Sequence, residues 1–211
     1  MDPACAMPTA DIALLKEALP DALQGKERYT YADYAQLPEG APYELIHGHL
    51  VMSPSPTTTH QRLVLQIARM LGDHADEHTS DEHTSDEHTS GQVFIAPIDV
   101  FLSETDTVQP DVLFVASDRA HIIEEQRING APDLIVEVFS PSTTHRDVGV
   151  KKRLYETHGV REYWTVDPET QAVEVHVNTA HGFDQHARVV ESGTVTSTVL
   201  ETFTMALDDL F

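Results

Sequence analysis

Three short apolar runs in the middle of the chain each carry a carboxylate. IAPIDVFL holds Asp99, QPDVLFV holds Asp111 and DLIVEVF holds Glu137. Apolar runs of this length, bounded by Gly, Pro and polar clusters, mark buried strands. An ionised carboxylate left alone in such a strand costs several kcal/mol even after relaxation, so the fold must give it a partner. The whole chain has 13 Lys+Arg, which makes cationic partners scarce. A divalent cation is the obvious substitute, because hard carboxylate oxygens suit magnesium or manganese.

A plainer reading stands beside each acid. Asp111 follows Pro110 and serves equally as a loop-end cap, and Asp99 as the marker of a strand bend after Pro97. Glu137 is harder to dismiss as an exposed, inert residue. Ile135, Glu137 and Phe139 share one strand face, Leu134, Val136 and Val138 the other, so one apolar face must meet an acid.

Around these runs the expected class is α/β, or mixed α+β, with a central sheet flanked by helices. Residues 1–27 read as a peripheral segment with an amphipathic helix over Ile12, Leu15, Leu19 and Leu23, broken near Pro20. Thr30 is placed to cap a short helix that Leu37-Pro38 ends. YELIHGHLVM predicts two strands turning at Gly48, and Leu63, Ile67, Met70 and Leu71 define the apolar face of a helix running to about His74. A second helix is expected from about Thr144 to His158. REYWTVD, AVEVHVN and FDQHARVV follow as strands, the last two as a hairpin. The tail reads as a strand-like TVLETF and a short ALDDLF turn. Residues 76–90 are DEHTS three times over, with no apolar residue to join a core. Its histidines at 78, 83 and 88 sit beside acids. They offer a transition metal weak ligands, a reading weakened by the five-residue step, which turns neighbours about 140° apart on a helix; a neutral insertion is the simpler reading.

Charge excludes some functions. Against 13 Lys+Arg stand 35 Asp+Glu, a net −22, which disfavours a non-specific nucleic-acid coat. A locally basic site is not excluded, and Arg146, Lys151, Lys152, Arg153 and Arg161 concentrate five of the 13 basic residues in sixteen positions. On the predicted helix Asp147, Lys151 and Tyr155 lie one turn apart on one face. Either Asp147 and Lys151 form an ordinary surface pair, or Lys151 reaches the acids of the preceding strand. A carboxylate-held metal beside a lysine suits phosphodiester hydrolysis. The single Cys5 excludes an internal disulfide. The absence of a basic start with an apolar run predicts no signal peptide, and no run approaches the roughly 18 apolar residues of a membrane span. The expectation is a cytoplasmic protein.

YELIHGHLVMSPSP, His60, APIDVFL, QPDVLFV, APDLIVEVFSPST, RDVGVKKRLYETHGVREYWTVDPE and VEVH, in this order over about residues 28–178, together resemble the Uma family of "putative restriction endonucleases". That family belongs to the PD-(D/E)XK nuclease superfamily. The resemblance implies a restriction-endonuclease-like fold over 28–211, interrupted by the repeat at 76–90. It implies a magnesium- or manganese-dependent nuclease acting on DNA, with Asp111 and Glu137 as metal-binding acids, Glu44 as a third, and Lys151 as the catalytic lysine. Phe139 stands where the superfamily's usual lysine would follow the glutamate. The usual LIDGEL reads Leu45-Ile46-His47-Gly48-His49-Leu50, two histidines replacing acids. His60, Asp99, Asp147 and Tyr155 are candidates for supporting roles. A homodimer is expected, as for many nucleases cutting both strands. Two other readings remain: a catalytically silent binding or regulatory protein on the same fold, and an acidic interaction module that exploits the −22.

Overall fold

Tyr43–Ile46 (β1) and His49–Met52 (β2) pair antiparallel across a two-residue turn. Both turn residues take positive φ, His47 at 51° and Gly48 at 75°, the combination whose twist matches that of the flanking strands. Gly48 is needed there twice over, since a Cβ would also stand 3.2 Å from the Arg28 side chain and 3.3 Å from the Tyr29 carbonyl. This hairpin is the one expected from YELIHGHLVM. It comes from a computed structural model that describes residues 20, 23–38, 40–77, 90–140 and 145–211, the side chains of 77 and 145–148 excepted. The expected N-terminal helix, apart from Pro20 and Leu23, and the bulk of the DEHTS repeat lie outside the described residues.

The chain divides into two compact units, residues up to Ser53 with Ser103–Thr107, and Pro54–Leu102 with Val108–Phe211. In the first, Tyr31–Tyr34 (α1) follows Thr30, whose backbone N–H donates to the Asp33 carboxylate at 3.1 Å. Leu23, Tyr34, Tyr43, Leu45 and Leu50 form its buried cluster. Leu45 pairs with Thr107 of Asp106–Val108 (β5). The Asp106 carboxylate takes the His47 N–H at 2.7 Å, tying the hairpin turn to β5.

The second unit is built on a six-stranded sheet. Its strands are Gly91–Ile95 (β3), Val112–Ala116 (β6), Leu134–Val138 (β8), Glu162–Asp167 (β9), Ala172–Thr179 (β10) and Gly182–Val190 (β11). Their order is β11-β10-β9-β8-β6-β3, with β8 and β9 parallel and the other pairs antiparallel. Asp99–Ser103 (β4) pairs in parallel with Arg127–Asn129 (β7). The apolar run VFIAPIDVFL is therefore two strands, divided at Ala96-Pro97, because proline cannot donate to a ladder.

Two helices cover this sheet. Thr58–Glu77 (α2) buries Leu63, Ile67 and Leu71 against Val112, Phe114, Val136 and Trp164, residues that alternate along their strands. The opposite face, which carries Ile135, Glu137 and Tyr163, meets His145–His158 (α3) through Tyr155. Burying each of these aliphatic side chains contributes about 1.5–3 kcal/mol. The fold class is the expected one, a mixed α+β protein with a mixed sheet flanked by helices. Among the described residues no helix is long and apolar enough to cross a membrane.

The tail corrects one expectation. TVLETF is not a strand but the connection between Thr194–Thr196 (β12) and Thr204–Ala206 (β13), which leads into Leu207–Leu210 (α4). Its backbone donors are drawn elsewhere: Thr198 N–H goes to the Glu162 carboxylate at 2.6 Å, and Val199 and Leu200 N–H go to Ser197 Oγ. A segment whose N–H groups are held by side chains in this way cannot join a ladder.

Candidate active site

The β6–β8 register ends with Val112 paired to Val136, which leaves Asp111 just ahead of β6 and Glu137 as the next residue along β8. Asp111 reaches across to β8 itself, Oδ2 accepting the Val138 N–H at 2.8 Å. Two acids spaced 26 residues apart in sequence thus become neighbours at one end of the sheet.

Each acid meets a side-chain donor from a different helix. His60, in the first turn of α2, places Nε2 3.0 Å from Asp111 Oδ1. Lys151 Nζ donates to Glu137 Oε1 at 3.0 Å, and Tyr155 Oη donates to the same oxygen at 2.6 Å. Lys151 and Tyr155 are one α3 turn apart, which is why both reach one carboxylate. The reading that sent Lys151 to the preceding strand is the geometry found. Tyr155 is fully buried, while the other four side chains keep 11–17% of their surface, Asp111 the most and His60 the least, so the group borders solvent.

Electrostatics knit the group together. Burial opposes a charged His60, but the hydrogen bond and charge of Asp111, with the charge of Glu137, outweigh it and raise the imidazole above its ordinary value. Tyr163 is held well above the ordinary phenol range, first by complete burial and then by the charge of Glu137. Its hydroxyl and His60 Nδ1 are buried without a hydrogen-bond partner among the described residues. Sequence reading missed Tyr163. The signal available was its place on REYWTVD, two residues from Thr165, which pairs with Glu137.

Asp99 begins β4 and accepts a hydrogen bond from Gln109 Nε2 at 2.9 Å. Glu44 is buried on β1 of the first unit, opposite Val51. The Asp147 side chain lies outside the described residues. The premise that cations are too scarce to partner buried acids is corrected: Lys151 is spent on Glu137, and Arg119 and Arg161 both reach the fully buried Asp133. Among the described residues no three His, Cys, Asp or Glu side chains form a ready-made metal cage. Magnesium does not ask for one, since it is commonly held by one or two carboxylates with waters and substrate phosphates completing its shell. The Asp111–Glu137 pair fits that pattern.

The fold is shared with a solved structure, that of "a putative nuclease belonging to DUF820" from Anabaena variabilis. That chain is 19% identical, with a TM-score of 0.68 over 86% of this chain and 97% of the other. No curated protein matches the sequence. The mixed sheet flanked by helices is of the restriction-endonuclease-like class. A family model matches residues 31–208, and the chain belongs to the family it describes, Uma2, "Putative restriction endonuclease".

Proposed function

We propose that the protein is a metal-dependent nuclease that hydrolyses DNA phosphodiester bonds, acting as a two-fold dimer. One observation carries the reading: Asp111 is bonded to the Val138 N–H of β8, the residue after Glu137, with Lys151 on Glu137 and His60 on Asp111. Asp111 and Glu137 are the residues to hold magnesium or manganese, with Glu44 assigned as a third acid by the family resemblance. A metal bound there would lower the pKa of a water and offset charge on phosphate oxygens. Tyr155 and Lys151 fix the rotamer of Glu137, and Val138 N–H and His60 fix that of Asp111. Lys151 also brings an ammonium to where charge develops on the phosphoryl group.

A silent binding protein on this fold is favoured by one observation: both acids already have a donor or cation, so charge balance does not demand a metal. Titration of manganese by calorimetry, alone and with a non-cleavable DNA duplex, separates the two. The nuclease reading expects binding that Asp111→Asn and Glu137→Gln each abolish, together with nicking of supercoiled DNA in magnesium or manganese that both variants lose. If the wild-type protein takes up no metal even beside the duplex, the silent reading stands instead.

A further inference from the structure

One face of α2 looks away from the sheet. Arg62, Leu65, Gln66, Arg69, Met70 and Asp73 recur at steps of three and four and line a shallow concavity of about 300 Å³. Leu65 is 56% exposed, the most exposed of the large apolar side chains among the described residues. None of the candidate site residues lines it.

The stripe has an internal symmetry. Reversed about the midpoint between Ile67 and Ala68, Arg62 exchanges with Asp73, Leu65 with Met70, and Gln66 with Arg69. Each exchanged pair is chemically complementary: cation with anion, apolar with apolar, amide with guanidinium. An isologous two-fold contact asks for this property, because residue i of one copy meets residue j of the other, and j meets i. A helix packed antiparallel on its own copy has that axis at its centre. On a chain of net −22, the two arginines of this stripe are cations for an acid of a second copy to meet. The partner's Asp73 would supply that acid within the same contact.

We infer that α2 is a homodimer interface, with a second copy of this chain seated antiparallel on this stripe. The surface deepens the dimeric part of the proposed function, but it stands on the α2 stripe alone. Arg62 also donates to Gln66 Oε1 at 3.1 Å and to the Leu210 carbonyl at 3.0 Å, which holds its guanidinium at the rim rather than loose in solvent. A patch of six side chains per copy is smaller than the roughly 800 Å² per partner of a standard interface, so the dimer is of about micromolar strength or weaker.

The test is sedimentation equilibrium of the full chain over a wide concentration range, read as mass and not as cleavage. The wild type is expected to dimerise. Leu65→Glu and Asp73→Arg should each raise the dissociation constant at least about tenfold, and Arg62→Asp combined with Asp73→Arg should restore it to within about threefold. Thermal unfolding of each variant identifies any that fails to fold, and Leu65→Glu and Asp73→Arg decide the matter without the double variant. A protein that stays monomeric throughout, or a dimer that neither single variant weakens, overturns the inference. Loss of nuclease activity with an intact dimer would refute the site reading and leave this one standing.

Discussion

Glu162 is a buried acid with no catalytic part to play, and replacing it by Gln should show what such an acid contributes. It is 0% exposed at the start of β9. Oε1 accepts from Trp164 Nε1 at 2.7 Å and Ser197 Oγ at 2.8 Å; Oε2 accepts from Thr198 N at 2.6 Å and Thr198 Oγ1 at 2.5 Å. In the amide, whichever oxygen becomes nitrogen turns two of these donors toward another donor, and the charge disappears. Hydrogen bonds to a charged group are worth about 1.5–3 kcal/mol each, and two are lost. A hydroxyl that rotates to accept recovers part of one. The expected destabilisation is about 3–5 kcal/mol, a large share of the 5–15 kcal/mol typical of a whole domain. Guanidinium unfolding reports it directly, because Trp164, the only tryptophan, is itself bonded to Glu162. A change in unfolding free energy below about 1 kcal/mol would refute the reasoning, since the four donors would then be finding other acceptors.

Tyr163→Phe should behave in the opposite way: the hydroxyl has no partner among the described residues, so its removal should leave the melting temperature unchanged or raise it, by up to about 1 kcal/mol of stability. A loss of more than 1 kcal/mol in calorimetry would mean that the phenol is bonded after all. His176 gives a pH signature. Burial first, then the charge of Lys152, lowers its imidazole below the ordinary value. The unfolded chain therefore takes up a proton near pH 6.5 that the folded one refuses, and stability present above that value is lost as pH falls through the folded value. His176→Phe, which keeps the stack on Tyr163, should show a shallower fall of denaturation midpoint between pH 6.5 and 5; an unchanged slope counts against this assignment.

Local features read true from sequence, and long-range ones did not. The His47-Gly48 turn and the bounds of α3 follow from residues within a few positions of one another. Glu137 was legible as an anomaly because strand alternation placed it between Ile135 and Phe139 on one face of an apolar run. Its partner Lys151 lies fourteen positions on, within reach of helix periodicity and family resemblance. His60 reaches Asp111 across 51 positions, and nothing in the local pattern of either residue announces it. TVLETF misled for the same reason: its β-branched pattern suits a strand, but Glu162, 36 positions earlier, takes its first N–H.

Acid in an apolar strand is therefore a weaker signal of chemistry than it looks. Asp133 and Glu162 are more deeply buried than Asp111 and Glu137, yet their oxygens are turned inward. Asp133 holds Arg119, Arg161 and the Ala116 N–H, while Glu162 anchors the β12–β13 connection. These partners come from the elements an acid's own strand must pack against, so the acid works as a clamp. Asp111 and Glu137 differ in being neighbours, Asp111 bonding the N–H next to Glu137, in drawing donors from two separate helices, and in keeping a solvent-facing fraction. Two carboxylates brought side by side repel, by about 1 kcal/mol at 4 Å even in water and by more where solvent is thin. His60 on Asp111 and Lys151 on Glu137 offset part of that repulsion. Relief of it by a shared cation is the physical reason to look for a metal at this pair and not at the two acids buried deeper.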